Sequence, residues 1–134
     1  MTVLTNRIRA GGFIQSEANY ARARESVTIA GGTGGAGVLY AGTVLGKLTS
    51  GGKYVPSPAT GSDGSQTAVA VLFDDVDATA DDVVAGVLAR DSEVRAADLT
   101  YDDSVNDDSK KAAKHTQLLA VGIVVRTSTD TEST

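Results

Sequence analysis

Residues 66–89, QTAVAVLFDDVDATADDVVAGVLA, contain the two strongest strand signals in the chain. Residues 68–73 form a continuous apolar run that ends at two acids, and residues 83–89 form a second run. Short apolar runs bounded by polar residues are typical of strands with a buried face. We therefore predict an antiparallel pair of strands, joined by the polar segment DDVDATADD.

A helix and a final strand are predicted on the C-terminal side of this pair. The segment NDDSKKAAKHTQLLAVG, residues 106–122, offers Asp107, Asp108 or Ser109 as an N-cap, good helix formers through Leu119, and Gly122 as a stop. We expect a last strand at residues 123–126. Residues 93–99 fit either one or two helical turns or a strand followed by a loop.

Short strands separated by glycines are predicted on the N-terminal side of the pair. Residues 27–30 alternate weakly as a strand, and the following GGTGGA, residues 31–36, is too rich in glycine for a helix interior. Residues 38–48 are again apolar and β-branched, with Gly42 and Gly46 dividing them into short strands or a bulged one. The segment SGG at residues 50–52 suits a hairpin turn.

Residues 1–26 have no sustained hydrophobic period. Their short apolar steps are interrupted by Gly11, Gly12 and polar residues. We expect a flexible, extended arm at residues 1–26, a compact domain at residues 27–126 and a flexible Thr-, Ser- and acid-rich tail at residues 127–134. The sum is one small, β-rich α+β domain of short strands with a single C-terminal helix.

Composition and charge exclude several classes of function. The chain of 134 residues has a formal net charge of -5 and no cysteine, which leaves no disulfide framework and no thiolate site. Thirteen acidic residues lie between positions 61 and 108, so a broad basic face for nucleic acid is not expected. The sequence offers no secretory signal and no run near the roughly 18 apolar residues of a membrane span. We expect a soluble protein with no membrane partner.

A glycine motif invites a nucleotide-binding interpretation. Gly32, Gly34 and Gly37 match G-x-G-x-x-G after a predicted strand. That fingerprint requires a following helix and an acid about 20 residues further on, whereas here a strand-like segment follows and the region near residue 54 has no acid. A P-loop match at residues 41–48 also fails, because Ala41 and Leu48 stand where Gly and Ser or Thr are needed. A flexible loop is the preferred interpretation.

Two further features suggest chemistry without specifying it. Clustered acids at residues 74–82 suit hard cations, but an EF-type loop starting at Asp75 would place Ala80 at the turn glycine and Gly86 at the bidentate glutamate. His115, the only histidine, lies on the predicted helix without a partner base identifiable from sequence. We expect no metal, no cofactor and no enzyme activity; a solvated acidic loop and a surface histidine are preferred.

Five segments in a fixed order resemble a known family. They are AGVLYAGTVLGKL at 36–48, GKYVP at 52–56, ATGSDGSQTAVAVLFDDVDAT at 59–79, VAGVLARDSEV at 84–94 and LLAVGIVVR at 118–126. In this order and spacing the chain resembles the head decoration protein D family of tailed bacteriophages, over roughly residues 27–126. The chain departs from the family pattern in its long arginine-containing arm and its extra tail.

The resemblance implies a β-tulip-like subunit that forms homotrimers on the outer surface of the expanded phage head. Such trimers occupy local three-fold positions between major capsid proteins and brace the shell against internal DNA pressure. The resemblance also implies that the N-terminal segment engages the capsid. The residues that we expect to make this contact are Arg7, Ile8, Arg9, Phe13, Ile14, Tyr20 and Arg24.

Two other hypotheses remain open at this point. One is a phosphate- or nucleotide-binding protein that uses Gly32, Gly34 and Gly37. The other is an acidic cation-binding module at residues 74–82. The first would give heat on mixing with nucleotides, and the second would melt at a temperature that depends on millimolar calcium.

Overall fold

The computed structural model describes residues 12–17, 20–33 and 35–127. These residues form short strands, two α-helices and one 3-10 turn at Ala96–Asp98. The helices are α1, Tyr20–Ala23, and α2, Asp108–Ala120. The strands are β1 (Ile14–Glu17), β2 (Arg24–Ile29), β3 (Gly37–Leu39), β4 (Val44–Lys47), β5 (Tyr54–Pro56), β6 (Ala68–Leu72), β7 (Val76–Ala78), β8 (Val83–Leu88), β9 (Ser92–Arg95) and β10 (Ile123–Arg126).

A closed barrel in the order β2-β5-β4-β6-β8 is the centre of the fold. The predicted antiparallel pair is confirmed as β6 and β8, which place Val71 opposite Leu88 and Leu72 opposite Val87. The polar connection between them contains an additional strand, β7, which was not predicted. β7 pairs with β3 as a separate two-stranded sheet. Val76 and Ala78 alternate with Asp77 along β7, so the two apolar side chains face the protein while Asp77 is exposed.

The two glycines predicted to interrupt residues 38–48 differ in their effect: Gly42 lies between β3 and β4, whereas Gly46 lies within β4. Gly42 has a φ of 93°, in the region that favours glycine. Gly46 lies where the register of β4 and β6 shifts, and a Cβ added to it would lie 2.0 Å from the Ser65 carbonyl oxygen. The first glycine is required for a turn and the second for a close approach of two backbone segments.

A second sheet, in the order β1-β9-β10, lies beside the barrel. β10 spans residues 123–126 as predicted and runs parallel to β9. The ambiguous segment 93–99 combines both alternatives, since β9 is followed directly by the 3-10 turn. β1 pairs antiparallel with β9, with Ile14 opposite Val94.

Helix α2 has the predicted ends. The Asp107 side chain accepts a hydrogen bond from the Lys110 amide at 2.8 Å, which satisfies one of the free amides of the first turn. Gly122 follows the helix with a φ of 91°. Lys114 and Leu118, one turn apart, form its buried face. Among the described residues, no helix is long and apolar enough to cross a membrane.

Two groups of buried side chains fill the interior. One lies inside the barrel around Ile29, Leu45 and Leu72. The other joins the barrel to the second sheet and to α2, and includes Phe13, Leu88 and Leu118. Because β4, β6 and β8 contribute to both groups, the elements pack as one unit.

Candidate interaction site at the N-terminal segment

The residues expected to contact the capsid fall into two groups. Arg7, Ile8 and Arg9 lie outside the described residues, and of Tyr20 only the backbone, at the start of α1, is described. Phe13, Ile14 and Arg24 are placed by the structure. The described part of the predicted arm, residues 12–17 and 20–26, therefore belongs to the folded unit, and the ordered structure begins before residue 27.

Phe13 and Ile14 attach the segment to the core. Phe13 is 0% exposed and packs in the group of buried side chains that joins the barrel to α2. Ile14 is partly buried against the same group and pairs with Val94. Truncating a buried phenylalanine costs about 3–5 kcal/mol, so Phe13 stabilises the attachment of the segment.

Arg24 is also held within the subunit. Its guanidinium forms two hydrogen bonds with the Glu17 carboxylate, at 2.6 and 3.0 Å, and lies 3.9 Å from the centre of the Phe73 ring. The bidentate geometry and the aromatic contact together fix the side chain. Arg24 thus joins the end of β1 to the beginning of β2.

Arg95 holds the beginning of the described N-terminal segment. Its backbone amide donates to the Phe13 carbonyl at 3.0 Å, and its guanidinium donates to the carbonyl of Gly12 and pairs with Asp98 at 2.9 Å. β1 has β9 as its single strand neighbour among the described residues. Residues 1–11 are therefore joined to a fixed point next to an edge strand.

Several described amides of the glycine loop donate to groups inside the subunit. The Gly31 amide donates to the Asp82 carboxylate at 2.8 Å, the Gly32 amide to the Ala78 carbonyl at 3.0 Å, and the Ala36 amide to the Ala30 carbonyl at 2.8 Å. A phosphate cradle needs such amides to point at the ligand, and the next element is the strand β3. At Gly32 the geometry gives the nucleotide hypothesis no support, while Gly34, the second glycine of that motif, lies outside the described residues. The loop joins β2 to β3 within one folded unit.

The acids of residues 74–82 are distributed among separate structural contacts. Asp75 accepts from the Ala41 amide at 2.8 Å, Asp77 from the Thr79 amide at 3.0 Å, and Asp82 pairs with Lys53 at 2.6 Å. The hydrogen bond from Lys53, together with the Gly31 amide, lowers the pKa of Asp82. The described residues contain no group of three or more His, Cys, Asp or Glu that could hold a metal ion.

His115 lies in a cavity of about 500 Å³ between α2 and the 3-10 turn. Its Nε2 is 2.6 Å from the Tyr101 hydroxyl. Burial raises the pKa of Tyr101 to about 12, while burial and the nearby Lys111 charge lower the pKa of His115. Both shifts favour a phenol that donates to a neutral imidazole. The pair connects α2 to the loop after the 3-10 turn.

Lys114 was not identified from the sequence, although it is 1% exposed. Its ammonium donates to the Pro58 and Gln66 carbonyls, both at 2.6 Å, and to the Ser57 hydroxyl at 2.9 Å. Burial lowers the pKa of Lys114. The available signal was its spacing from Leu118, which places both on one face of the helix, but lysine is rarely fully buried unless it is paired.

Comparison with known proteins agrees with the resemblance described above. The family model for bacteriophage lambda head decoration protein D matches residues 3–123 of the 134 residues. A search of curated proteins found no match. The matched range includes every described strand up to the first residue of β10 and both helices. The chain therefore belongs to the bacteriophage lambda head decoration protein D family, a family of structural phage proteins that are located on the capsid of the virion.

Proposed function

We propose that this protein binds as a homotrimer to the outer surface of the expanded head, at local three-fold positions, and stabilises the shell against internal DNA pressure. The observation that carries the proposal is the family match over residues 3–123. The proposed partners are the major capsid protein and two further copies of this chain, without nucleic acid or membrane.

The described fold is suited to a load-bearing role. A closed barrel leaves no free strand edge within its own sheet. The connections between its strands are fixed by side chains, such as Lys114 across residues 57–66 and Asp82 across the glycine loop. Force applied at Gly12 would pass through the β1–β9 pairing and Phe13 into the core.

We assign the capsid contact within the N-terminal segment to Arg7, Ile8 and Arg9. Phe13, Ile14 and Arg24 are occupied by contacts inside the subunit, so they act as its anchor. An extended segment that adds a strand to an exposed sheet edge gains backbone hydrogen bonds without requiring a particular side-chain sequence. Three such segments on one trimer would raise the overall affinity through effective concentration.

Binding to heads tests the proposal directly. Purified protein is mixed with expanded heads that lack decoration, the heads are sedimented, and the bound protein is quantified against concentration. We expect saturation at three copies per local three-fold position, and sedimentation equilibrium of the free protein should give three times the mass of 13.6 kDa. If no protein co-sediments at saturating concentration, the proposed function is wrong.

A truncation separates the contact from the anchor. Removing residues 1–11 should leave the melting temperature within about 2 °C of the full chain, because Phe13 and β1 are retained, but should weaken binding to heads. The double variant Arg7→Ala, Arg9→Ala should weaken binding in the same direction.

A matched control removes two positive charges elsewhere. The double variant Lys47→Ala, Lys110→Ala should bind heads as the full chain does, since Lys47 lies on β4 and Lys110 on α2, outside the sheet that contains β1. Equal binding by the truncated and full chains would remove residues 1–11 from the contact.

A further inference from the structure

The outer face of β3 exposes apolar side chains in an otherwise acidic region. Val38 is 50% exposed and Tyr40 is 39% exposed, while Leu39 between them is buried. Val38 is paired with Asp77 of β7, so both side chains project from the same outer face. Tyr40 directly follows β3 and lines the same groove as Val38, so the two exposed apolar side chains belong to one surface.

β3 also has an open edge beside a groove. Within the described part of the chain, β7 is the single strand that pairs with β3. A groove of about 280 Å³ runs along this region between Val38, Tyr40, Pro56 and Tyr101. An open edge next to a groove suits an extended segment, whose backbone can pair with the edge while alternate side chains enter the groove.

Carboxylates surround the apolar centre. Asp102 and Asp103 line the groove, and Asp77 is next to Val38 on the sheet face. Two of these acids have fixed positions, since Asp102 accepts from the Ser104 hydroxyl at 2.6 Å and Asp77 accepts from the Thr79 amide at 3.0 Å. The surface thus presents an apolar centre with a negative margin, which is complementary to an apolar segment that carries positive charges.

We propose that the face formed by Val38, Tyr40, Asp77, Asp102 and Asp103 binds an extended segment of the major capsid protein in which arginine or lysine flanks apolar residues. This inference rests on the proposed function and adds a second contact to the one at the N-terminal segment. The two contacts together would hold each subunit by two separated points, which resists tilting on the shell.

Charge favours the capsid protein over a second copy of this chain. Six arginine and lysine side chains already pair with carboxylates of their own subunit: Arg22 with Asp91, Arg24 with Glu17, Lys53 with Asp82, Arg90 with Glu25, Arg95 with Asp98 and Arg126 with Glu93. The subunit carries a net charge of -5, so two such acidic faces would repel each other. Arg7 and Arg9 are already assigned to the contact at the N-terminal segment, so the complementary positive charges are expected from a different protein.

A pair of lysine substitutions tests the surface. Val38→Lys introduces a like charge against the proposed basic segment and removes the apolar contact, whereas Val84→Lys makes the same change at a valine on β8 that is 71% exposed. Both positions face solvent in the subunit, so both variants should fold, and sedimentation equilibrium checks that each still forms trimers. We expect Val38→Lys to weaken binding to undecorated expanded heads roughly tenfold or more, as for a central interface residue, and Val84→Lys to change it less than about twofold.

The neutral variant Asp103→Asn should weaken binding in the same direction as Val38→Lys, and it should reduce the dependence of binding on salt. Equal head binding by Val38→Lys and Val84→Lys, or loss of the trimer in Val38→Lys by sedimentation equilibrium, would overturn the inference.

A photocrosslinking residue at position 38 identifies the occupant. Irradiation of decorated heads should join this position to the major capsid protein. A crosslink to a second copy would instead make the face a subunit interface and overturn the inference. If the unmodified protein does not bind heads, the proposed function itself is wrong. If the unmodified protein binds and Val38→Lys does not change the binding, only this inference is wrong.

Discussion

At the scale of single residues, Lys114 shows how a small core made largely of Ala, Val and Leu can organise a long loop. The loop between β5 and β6 turns its Pro58 and Gln66 carbonyls toward the buried Lys114 ammonium, which satisfies both of them. A backbone amide or a hydroxyl would satisfy one carbonyl, while an ammonium has three donors. Lys114 therefore supplies the hydrogen-bond donors that the apolar side chains around it lack.

Replacing Lys114 with methionine should destabilise the protein by about 1–3 kcal/mol. Methionine keeps the volume and the helix propensity, but the two carbonyls lose their donor, which outweighs the relief of a buried charge. Urea unfolding of Lys114→Met should show a lower midpoint. Lys110→Met, at a partly exposed lysine one turn before Lys114, is the control, and a midpoint for Lys114→Met as high as that of the control would contradict this account.

His115 should make stability depend on pH near neutrality. Burial and Lys111 lower the pKa of His115 in the folded protein, so the unfolded chain takes up this proton first, near pH 6.5. Stability should therefore fall as the pH drops below about 6.5, until the folded pKa is passed. Thermal melts between pH 7.5 and 5.5 should show this fall in the unmodified protein and not in His115→Gln. The same slope in both would assign it to another group.

At the scale of elements, glycines fix how closely two segments approach. Gly46 on β4 faces the Ser65 carbonyl, whereas an added Cβ at Gly86 on β8 meets nothing within 4 Å. Both glycines lie in strands, so strand propensity treats them alike. The difference between them comes from the loop after β5, which closes over β4.

Alanine at these two positions should therefore have opposite effects. Gly46→Ala should cost about 1–3 kcal/mol or more, because backbone atoms must move away from the new Cβ. Gly86→Ala should be neutral or stabilise by up to about 1 kcal/mol, since it restricts the unfolded chain without a clash. Chemical unfolding at constant subunit concentration measures both. Equal changes in the two variants would show that the close approach does not persist in solution.

At the scale of the whole molecule, carboxylates connect distant parts of the surface. Asp82 joins the glycine loop to the β4–β5 hairpin through Gly31 and Lys53, and Glu93 joins β1 to β10 through Ser16 and Arg126. Hydrogen bonds from Arg126 and Ser16 lower the pKa of Glu93, as those from Lys53 and Gly31 lower that of Asp82. Some of the carboxylates that make the net charge negative therefore also stabilise the fold.

Acid should weaken the fold in a defined range. Because the folded pKa values of Asp82 and Glu93 are lowered, their contribution to stability is complete above the unfolded values near pH 4 and is lost as the pH falls through the folded values. The melting temperature should decline below about pH 4. Asp82→Asn should melt below the unmodified protein at pH 7, with the difference shrinking at pH 3. A difference that stays constant with pH would mean that ionisation of Asp82 does not contribute.

The local signals of the chain determined most of its elements. Asp107 and Gly122 mark the two ends of helix α2, and the apolar runs predicted β6, β8 and β10. These signals are readable because caps, turns and apolar runs depend on residues within a few positions of each other. The five sequence segments, in their fixed order, also indicated the family. The barrel closure and the pairing of β3 with β7 could not be obtained this way, since both join strands that are distant in sequence.

The sequence by itself therefore determined the class of the fold, the helix and its ends, the main strands and the family to which the chain belongs. Tertiary structure alone decided that Phe13 is a core residue, that Lys114 is buried against Ser57, 57 positions away, and that Val38 and Tyr40 share an exposed face with acids. The physical reason is that the burial of a side chain depends on the segment that packs against it. For Phe13 and Lys114 that segment is distant in sequence, so the neighbouring residues do not indicate it.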